Sequence, residues 1–218
     1  MPLTLNELYT QTKHQYHLSM IAGKTGIDHI MNWVYVSEDS STHDFLKGGE
    51  LIITTGINYQ DETSLYEFIE TMIQSHTCGM ILNTGKYILS DHITDSIKEL
   101  CDKHNYPLIN MPWEVHIYDI TRDYYNKIFM DTQKDTSITD AFLSFIEEDS
   151  LHHYDALRIL EDNHFEKEDC YEIALMKCNK KAISDDLKLR LLFLMESYVK
   201  LNDLDIHIAF YKNHFLFV

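Results

Sequence analysis

Several things are scarce in this 218-residue chain, and each scarcity excludes something. Positive charge is scarce: 18 Lys and Arg stand against 35 Asp and Glu, a formal net charge of −17. Both parts on either side of residue 125 are acidic, with 17 acids to 7 bases before it and 18 to 11 after it. Neither part carries the basic stripe that holds phosphates, so the chain by itself is not expected to bind DNA or an anionic membrane strongly. Long apolar runs are missing; the longest, Leu191 to Met195, is far short of a bilayer span. The opening MPLTLNELYTQ is polar with an early Glu, unlike a signal peptide. Four cysteines (Cys78, Cys101, Cys170, Cys178) form no CxxC pair and no dense framework, which fits reduced thiols in a cytoplasmic protein.

Glycine and proline are unevenly spread. All seven glycines lie at or before Gly85 and all three prolines at or before Pro112. Tight turns therefore concentrate in the first half, and the rest should be mostly helical until near its end. Nucleotide glycine fingerprints, G-x-S-x-G and HExxH are all absent. Thirteen histidines include His14 and His17 three apart, His104 three residues after Cys101, and adjacent His152-His153, but none completes a four-ligand pattern. No cofactor and no metal are expected, and no catalytic residues.

What is present reads as an α/β fold: an N-terminal parallel-sheet α/β domain, a helical linker, then the start of a second, incomplete α/β domain. Thr4-Leu-Asn-Glu7 and Ser64-Leu-Tyr-Glu67 have the form of capping boxes that open helices. Residues 31–37, 50–56, 79–85 and 107–112 read as strands, and Leu65, Phe68, Ile69, Met72 and Ile73 form one helical stripe. Ser90 or Asp91 is expected to cap the next helix, with Ile93, Ile97, Leu100 and Cys101 on one face. Strands alternating with amphipathic helices imply βαβ units. Residues 116–134 read as a helix with a stripe of Ile117, Ile120, Tyr124 and Ile128, and Ser137 as the cap of another carrying Phe142, Phe145 and Ile146. Either set suits an internal core or a dimer seam. A helix over 153–163, a strand over 171–178, a helix over 185–201 and a final hairpin around Lys212-Asn213-His214 complete the pattern. The expected divisions are 1–115, 116–168 and 169–218. The close inside an apolar strand, Phe215-Leu-Phe-Val218, suggests the N-terminal piece of a longer protein.

Parallel strands place their C-terminal ends on one edge, where open α/β sheets bind ligands. That edge should collect Ser37, Glu38, Thr54, Thr55, Gly56, Asn83, Thr84, Gly85, Lys86, Asn110 and Trp113 as ligand-binding residues. Lys47 and Lys86 flank these loops in sequence, helix N-termini follow them, and Trp113 suits stacking on a planar ligand. Gly48-Gly49-Glu50 reads instead as a turn before a buried strand, with Glu50 placed to form a salt bridge or a cap.

The first 115 or so residues resemble the N-terminal domain of PucR-type transcriptional regulators, the purine catabolism regulator family. The resemblance lies in Ile21-Ala-Gly23 with Gly26-Ile-Asp28, in Trp33-Val-Tyr-Val-Ser-Glu38, in Leu46-Lys-Gly-Gly-Glu-Leu-Ile-Ile-Thr-Thr-Gly56, and in Pro107-Leu-Ile-Asn-Met-Pro112. Residues from about 138 onward look like the family's linker helices and the start of its degenerate GGDEF-like domain. The corresponding hairpin, Tyr211-Lys-Asn-His-Phe215, keeps only the Phe, so cyclic-dinucleotide synthesis is not expected. The resemblance implies a cytoplasmic effector-sensing and dimerisation region. Its effector would be a small nitrogen-rich or carboxylated metabolite, its partner a second copy held through the helical linker. DNA would be reached only through a helix-turn-helix outside this chain. The alternatives are a small-metabolite enzyme with Glu38, Glu114 or His116 as base, or an interaction module without a small ligand.

Overall fold

The computed structural model describes residues 3–59, 61–147, 153–177 and 184–218, with the side chain of residue 186 set aside. The described chain forms two compact units, Leu3–Ile128 and Phe129–Val218. No helix among the described residues is long and apolar enough to cross a membrane.

The first unit is built on a five-stranded sheet. In chain order its first elements are β1 (Leu3–Thr4), α1 (Leu5–Thr12), β2 (Ser19–Ala22), β3 (Ile30–Met31), β4 (Trp33–Val36) and β5 (Glu50–Thr54). Then come α2 (Glu62–Gln74), β6 (Gly79–Thr84), α3 (Asp95–Lys103) and β7 (Leu108–Pro112). The sheet order is β2-β7-β6-β5-β4, and β1 pairs separately with β3. Strands β4, β5, β6 and β7 run parallel, as βαβ connections require. The fold is α/β, but the sheet is mixed: β2 joins the outer side of β7 antiparallel. The short Ser-Met-Ile-Ala segment has too little alternation to be read as a strand; pairing with β7 makes it one.

Alternation along the strands divides the core into two layers. Ile52, Met80, Leu82 and Leu108 face α2 and α3, where Leu65, Phe68, Ile69, Met72, Ile97 and Leu100 meet them. Leu51, Ile53, Ile81, Ile109 and Met111 face the other way, toward Leu5 and Leu8 of α1 and Ile120 and Tyr124 of helix α4 (Ile117–Ile146). Ile117 and Ile128 pack against this same layer, so the 117–128 stripe is internal core.

Local chemistry moved three helix boundaries. Thr4 and Glu7 form the expected reciprocal cap of α1. Helix α2 starts earlier than expected, because Asp61 accepts from the Ser64 amide. Ser90–His92 is a separate 3-10 turn, and α3 begins only after Thr94. Helix α4 runs through Ser137 without a break, since the Ser137 hydroxyl donates back to the Gln133 carbonyl and leaves the ladder intact.

In the second unit, α5 (His153–Asp162) packs Ala156 and Leu160 against Ile138, Ala141 and Phe142 of α4. Strands β8 (Ala174–Lys177), β9 (Ile208–Tyr211) and β10 (His214–Phe217) form an antiparallel sheet in the order β8-β10-β9, with α6 (Asp185–Leu201) before β9. Ser184 caps α6. The β9–β10 hairpin turns on Lys212 and Asn213, both at positive φ (44° and 67°), the geometry a two-residue hairpin needs. His152 and Cys178 lie outside the described residues.

Candidate functional site

The parallel topology carries the C-terminal ends of β4, β5, β6 and β7 to one edge in spatial order. The edge has two clusters, one at β4–β5 and one at β6–β7.

The first cluster is centred on Glu38. Its Oε1 accepts from the Thr55 amide at 2.7 Å. Its Oε2 accepts from the Thr54 hydroxyl at 2.8 Å and the Gly56 amide at 3.0 Å. Gly56 has φ +69°, which turns its N–H inward beside that of Thr55. Asn58 donates its side-chain amide to the Glu38 carbonyl at 2.7 Å. Ser37 is buried and shares a 2.8 Å hydroxyl bond with Thr42, while donating to the Asp39 carbonyl. The donors at the end of β5 are therefore already engaged by a carboxylate of the same chain.

The second cluster spans β6 and β7. Asn83 is buried, and its amide donates to the Pro112 carbonyl at 3.0 Å and the Val115 carbonyl at 3.3 Å, pinning the segment that leads into α4. Its role is to hold that backbone. The Thr84 hydroxyl donates to Asn110 Oδ1, and the Asn110 amide reaches the Ser19 hydroxyl on β2. Gly85, at φ +113°, lies against Trp113. The Lys86 ammonium sits 5.0 Å from the Tyr87 ring centre and 4.8 Å from that of Trp113. These two rings meet edge to face at 5.6 Å. The result is an exposed ammonium with two aromatic faces beside it, attracted by the ring quadrupoles.

All eleven residues expected from the sequence thus lie at this edge, in two groups with different uses. Tyr87 and Asn58 belong with them. Neither has a motif that points to it; only the turn after β6 and the loop after β5 bring them in. Two expectations about charge change. Lys47 precedes β5 and so lies at the opposite edge of the sheet. The N-terminus of α2 is capped by Asp61, and Glu62 accepts the hydroxyls of Thr94 and Ser96 at the start of α3. Acids of the chain itself therefore serve both helix starts.

The Gly48-Gly49-Glu50 turn is structural. Buried Glu50 accepts from the amides of Lys47 at 2.7 Å and Gly48 at 3.0 Å, and Asn32 donates to the Gly48 carbonyl. The Gly23 and Gly26 segments also serve packing: a Cβ would stand 1.9 Å from the Tyr106 carbonyl oxygen at Gly23 and 1.7 Å from that of Asn105 at Gly26.

The thiols are poor nucleophiles where they are buried. Burial raises Cys101 to about 12 and Cys78 further still. Among the described residues, no group of three or more His, Cys, Asp or Glu is arranged to hold a metal ion.

Residues 7–128 match the purine catabolism regulatory protein-like family. Over 103 residues the chain is 30% identical to the purine catabolism regulatory protein of Bacillus subtilis (strain 168), which is 47% of this chain and 19% of that protein. The aligned stretch is therefore about a fifth of that relative.

Proposed function

The chain belongs to the purine catabolism regulatory protein-like family, and from that premise we propose that its first unit senses a small-molecule effector for a transcription regulator. The supporting observation is the strand-end edge. Four parallel strands end there, and Lys86, Tyr87 and Trp113 form a cationic aromatic corner in a strongly acidic chain. A small planar metabolite rich in N–H and C=O groups, or bearing a carboxylate, suits such an edge: its ring lies on indole and its acceptor meets the ammonium.

The reading is regulatory rather than catalytic. The one carboxylate nearest the β5 loop, Glu38, is committed to three hydrogen bonds, which suits holding a loop more than moving a proton. The chain acts in the cytoplasm as a homodimer. Exposed Tyr118, Phe129 and Met130 on α4 support the pairing of two copies. DNA is contacted by a helix-turn-helix outside this chain. The second unit, with a strand, a helix and a hairpin turning on Lys212-Asn213, opens a degenerate GGDEF-like domain without nucleotide chemistry.

A thermal-shift screen against purine-degradation intermediates, nucleobases and amino acids tests the sensor reading. A ligand at a hundredfold excess over Kd stabilises the folded chain by about 2.7 kcal/mol. The expected hit also changes Trp113 fluorescence in a Trp33→Phe background and weakens in Lys86→Met and Thr84→Val. Absence of any stabilising metabolite at millimolar concentration would favour an interaction module instead.

A further inference from the structure

Two carboxylates bracket β5, and they are held in different ways. Glu50, 6% exposed, closes the turn it belongs to by taking amides two and three residues away. Glu38 is only half-buried and comes to the other end of the strand from sixteen to eighteen residues away. Its donors, two backbone amides and the Thr54 hydroxyl, are all uncharged and all belong to the end of β5.

We propose that the C-terminal end of β5 is a receptor for a carboxylate, filled in this structure by Glu38, and that the carboxylate of a bound effector takes the place of Glu38. The first half stands on the geometry alone; the second rests on the sensor reading above. Three donors converging on two oxygens at 2.7–3.0 Å recognise a carboxylate whatever it is attached to. Exchange of one carboxylate for another keeps the Thr55 amide and the Thr54 hydroxyl matched to two oxygens, as a neutral ligand with a single acceptor cannot, while the Gly56 amide also reaches Thr54 Oγ1 at 3.0 Å. Released, the Glu38 side chain no longer ties the β4–β5 crossover to the end of β5. The crossover includes the exposed 3-10 turn Ser40–Phe45, tied to Ser37 through Thr42. Binding at the strand edge is thereby coupled to the position of that segment.

The test is rescue of Glu38→Ala by acetate, with acetamide as the neutral isostere and chloride at matched ionic strength. Glu38→Ala should melt below the wild type. Its midpoint should rise with the logarithm of acetate concentration up to about 100 mM, as binding to the folded state requires. Acetamide and chloride should not reproduce the rise. Adding Thr54→Val should reduce the response, and the wild type, with its receptor filled, should respond little. Should Glu38→Ala fail to fold, Glu38→Gln serves, because acetate then competes with a poorly matched amide. An equal response in wild type and variant, or none in the variant, overturns the receptor. The exchange itself is read by amide hydrogen exchange over 38–46 in the wild type with a carboxylated hit from the screen. Faster exchange there supports it. A metabolite that stabilises the chain while leaving that segment protected overturns the exchange and leaves the sensor reading standing.

Discussion

The Tyr124 hydroxyl lies 2.8 Å from the Thr12 hydroxyl, both buried, and joins α4 to α1 across 112 residues of sequence. The Thr12 hydroxyl gives its one hydrogen to the Leu8 carbonyl at 2.6 Å, so the Tyr124 hydroxyl donates and the Thr12 oxygen accepts. With its hydroxyl shielded by burial, Tyr124 is held well above the usual phenol range. The pair fixes the first turns of α4 to the sheet unit.

The two ends of this bond should respond unequally. Thr12→Val leaves the Tyr124 hydroxyl buried without its partner and should cost about 1–3 kcal/mol. Tyr124→Phe leaves Thr12 bonded to Leu8 and should cost about 0.5–1.5 kcal/mol. Urea denaturation of both variants checks the order; Tyr124→Phe as the worse of the two would refute it.

Glycines 23 and 26 should be far less replaceable than Gly48. At Gly26 and Gly23 the added methyl meets backbone carbonyl oxygens that cannot yield, and Gly23 also has φ +68°. At Gly48 the nearest atoms are 3.6 Å away, so only the φ of +92° opposes alanine. Gly48→Ala should cost about 1–3 kcal/mol of backbone strain. Gly26→Ala should cost more or prevent folding, as read by denaturation midpoint and yield of folded protein.

Thiol labelling should be selective. Exposed Cys170 should react with a maleimide at neutral pH, while buried Cys78 and Cys101, with their thiols pushed up by burial, stay protected until the first unit unfolds. Peptide mapping of labelled protein, with and without denaturant, decides this. Rapid native labelling of Cys78 would contradict the packing described above.

In the second unit, stability should fall as pH rises toward neutrality because of Glu196. Burial first, then Asp135 and Asp131, raise its carboxyl to about 7. The folded state then holds a proton that the unfolded chain releases near its ordinary 4.5. This contribution is full below that value and is lost as pH rises to about 7. Glu196→Gln should therefore be the more stable form at about pH 8, with the difference vanishing at about pH 4. His207 slopes the other way: burial lowers its pKa, so its contribution is lost as pH falls below its unfolded value. Melts of Glu196→Gln and His207→Gln across pH separate the two. A Glu196→Gln profile parallel to the wild type would count against a buried, protonated Glu196.

Much of the fold was legible because short-range chemistry decides it. The short apolar runs at β5, β6 and β7, bounded by Gly or Pro, the stripe of α2 and the Thr4–Glu7 cap are all legible from neighbouring residues, and the structure has them. Strand β2 was not legible, because its strand character comes from β7. The break expected at Ser137 was misplaced, because a serine hydroxyl bonding back to Gln133 is as compatible with a helix interior as with a cap. The edge that gathers the eleven residues named from the sequence followed from parallel topology alone.

The sequence by itself determined the α/β class, the family motifs and the membership of the strand-end edge, since alternation, glycine placement and loop chemistry are local properties. Only the tertiary structure decided what those residues do there. It brought Glu38 onto Thr54, Thr55 and Gly56, and Lys86 between Tyr87 and Trp113. It spent Asn83 on the backbone before α4 and placed Lys47 at the far edge. Hydrogen bonds between residues distant in sequence depend on strand order and register, and no local pattern encodes which donor meets which acceptor.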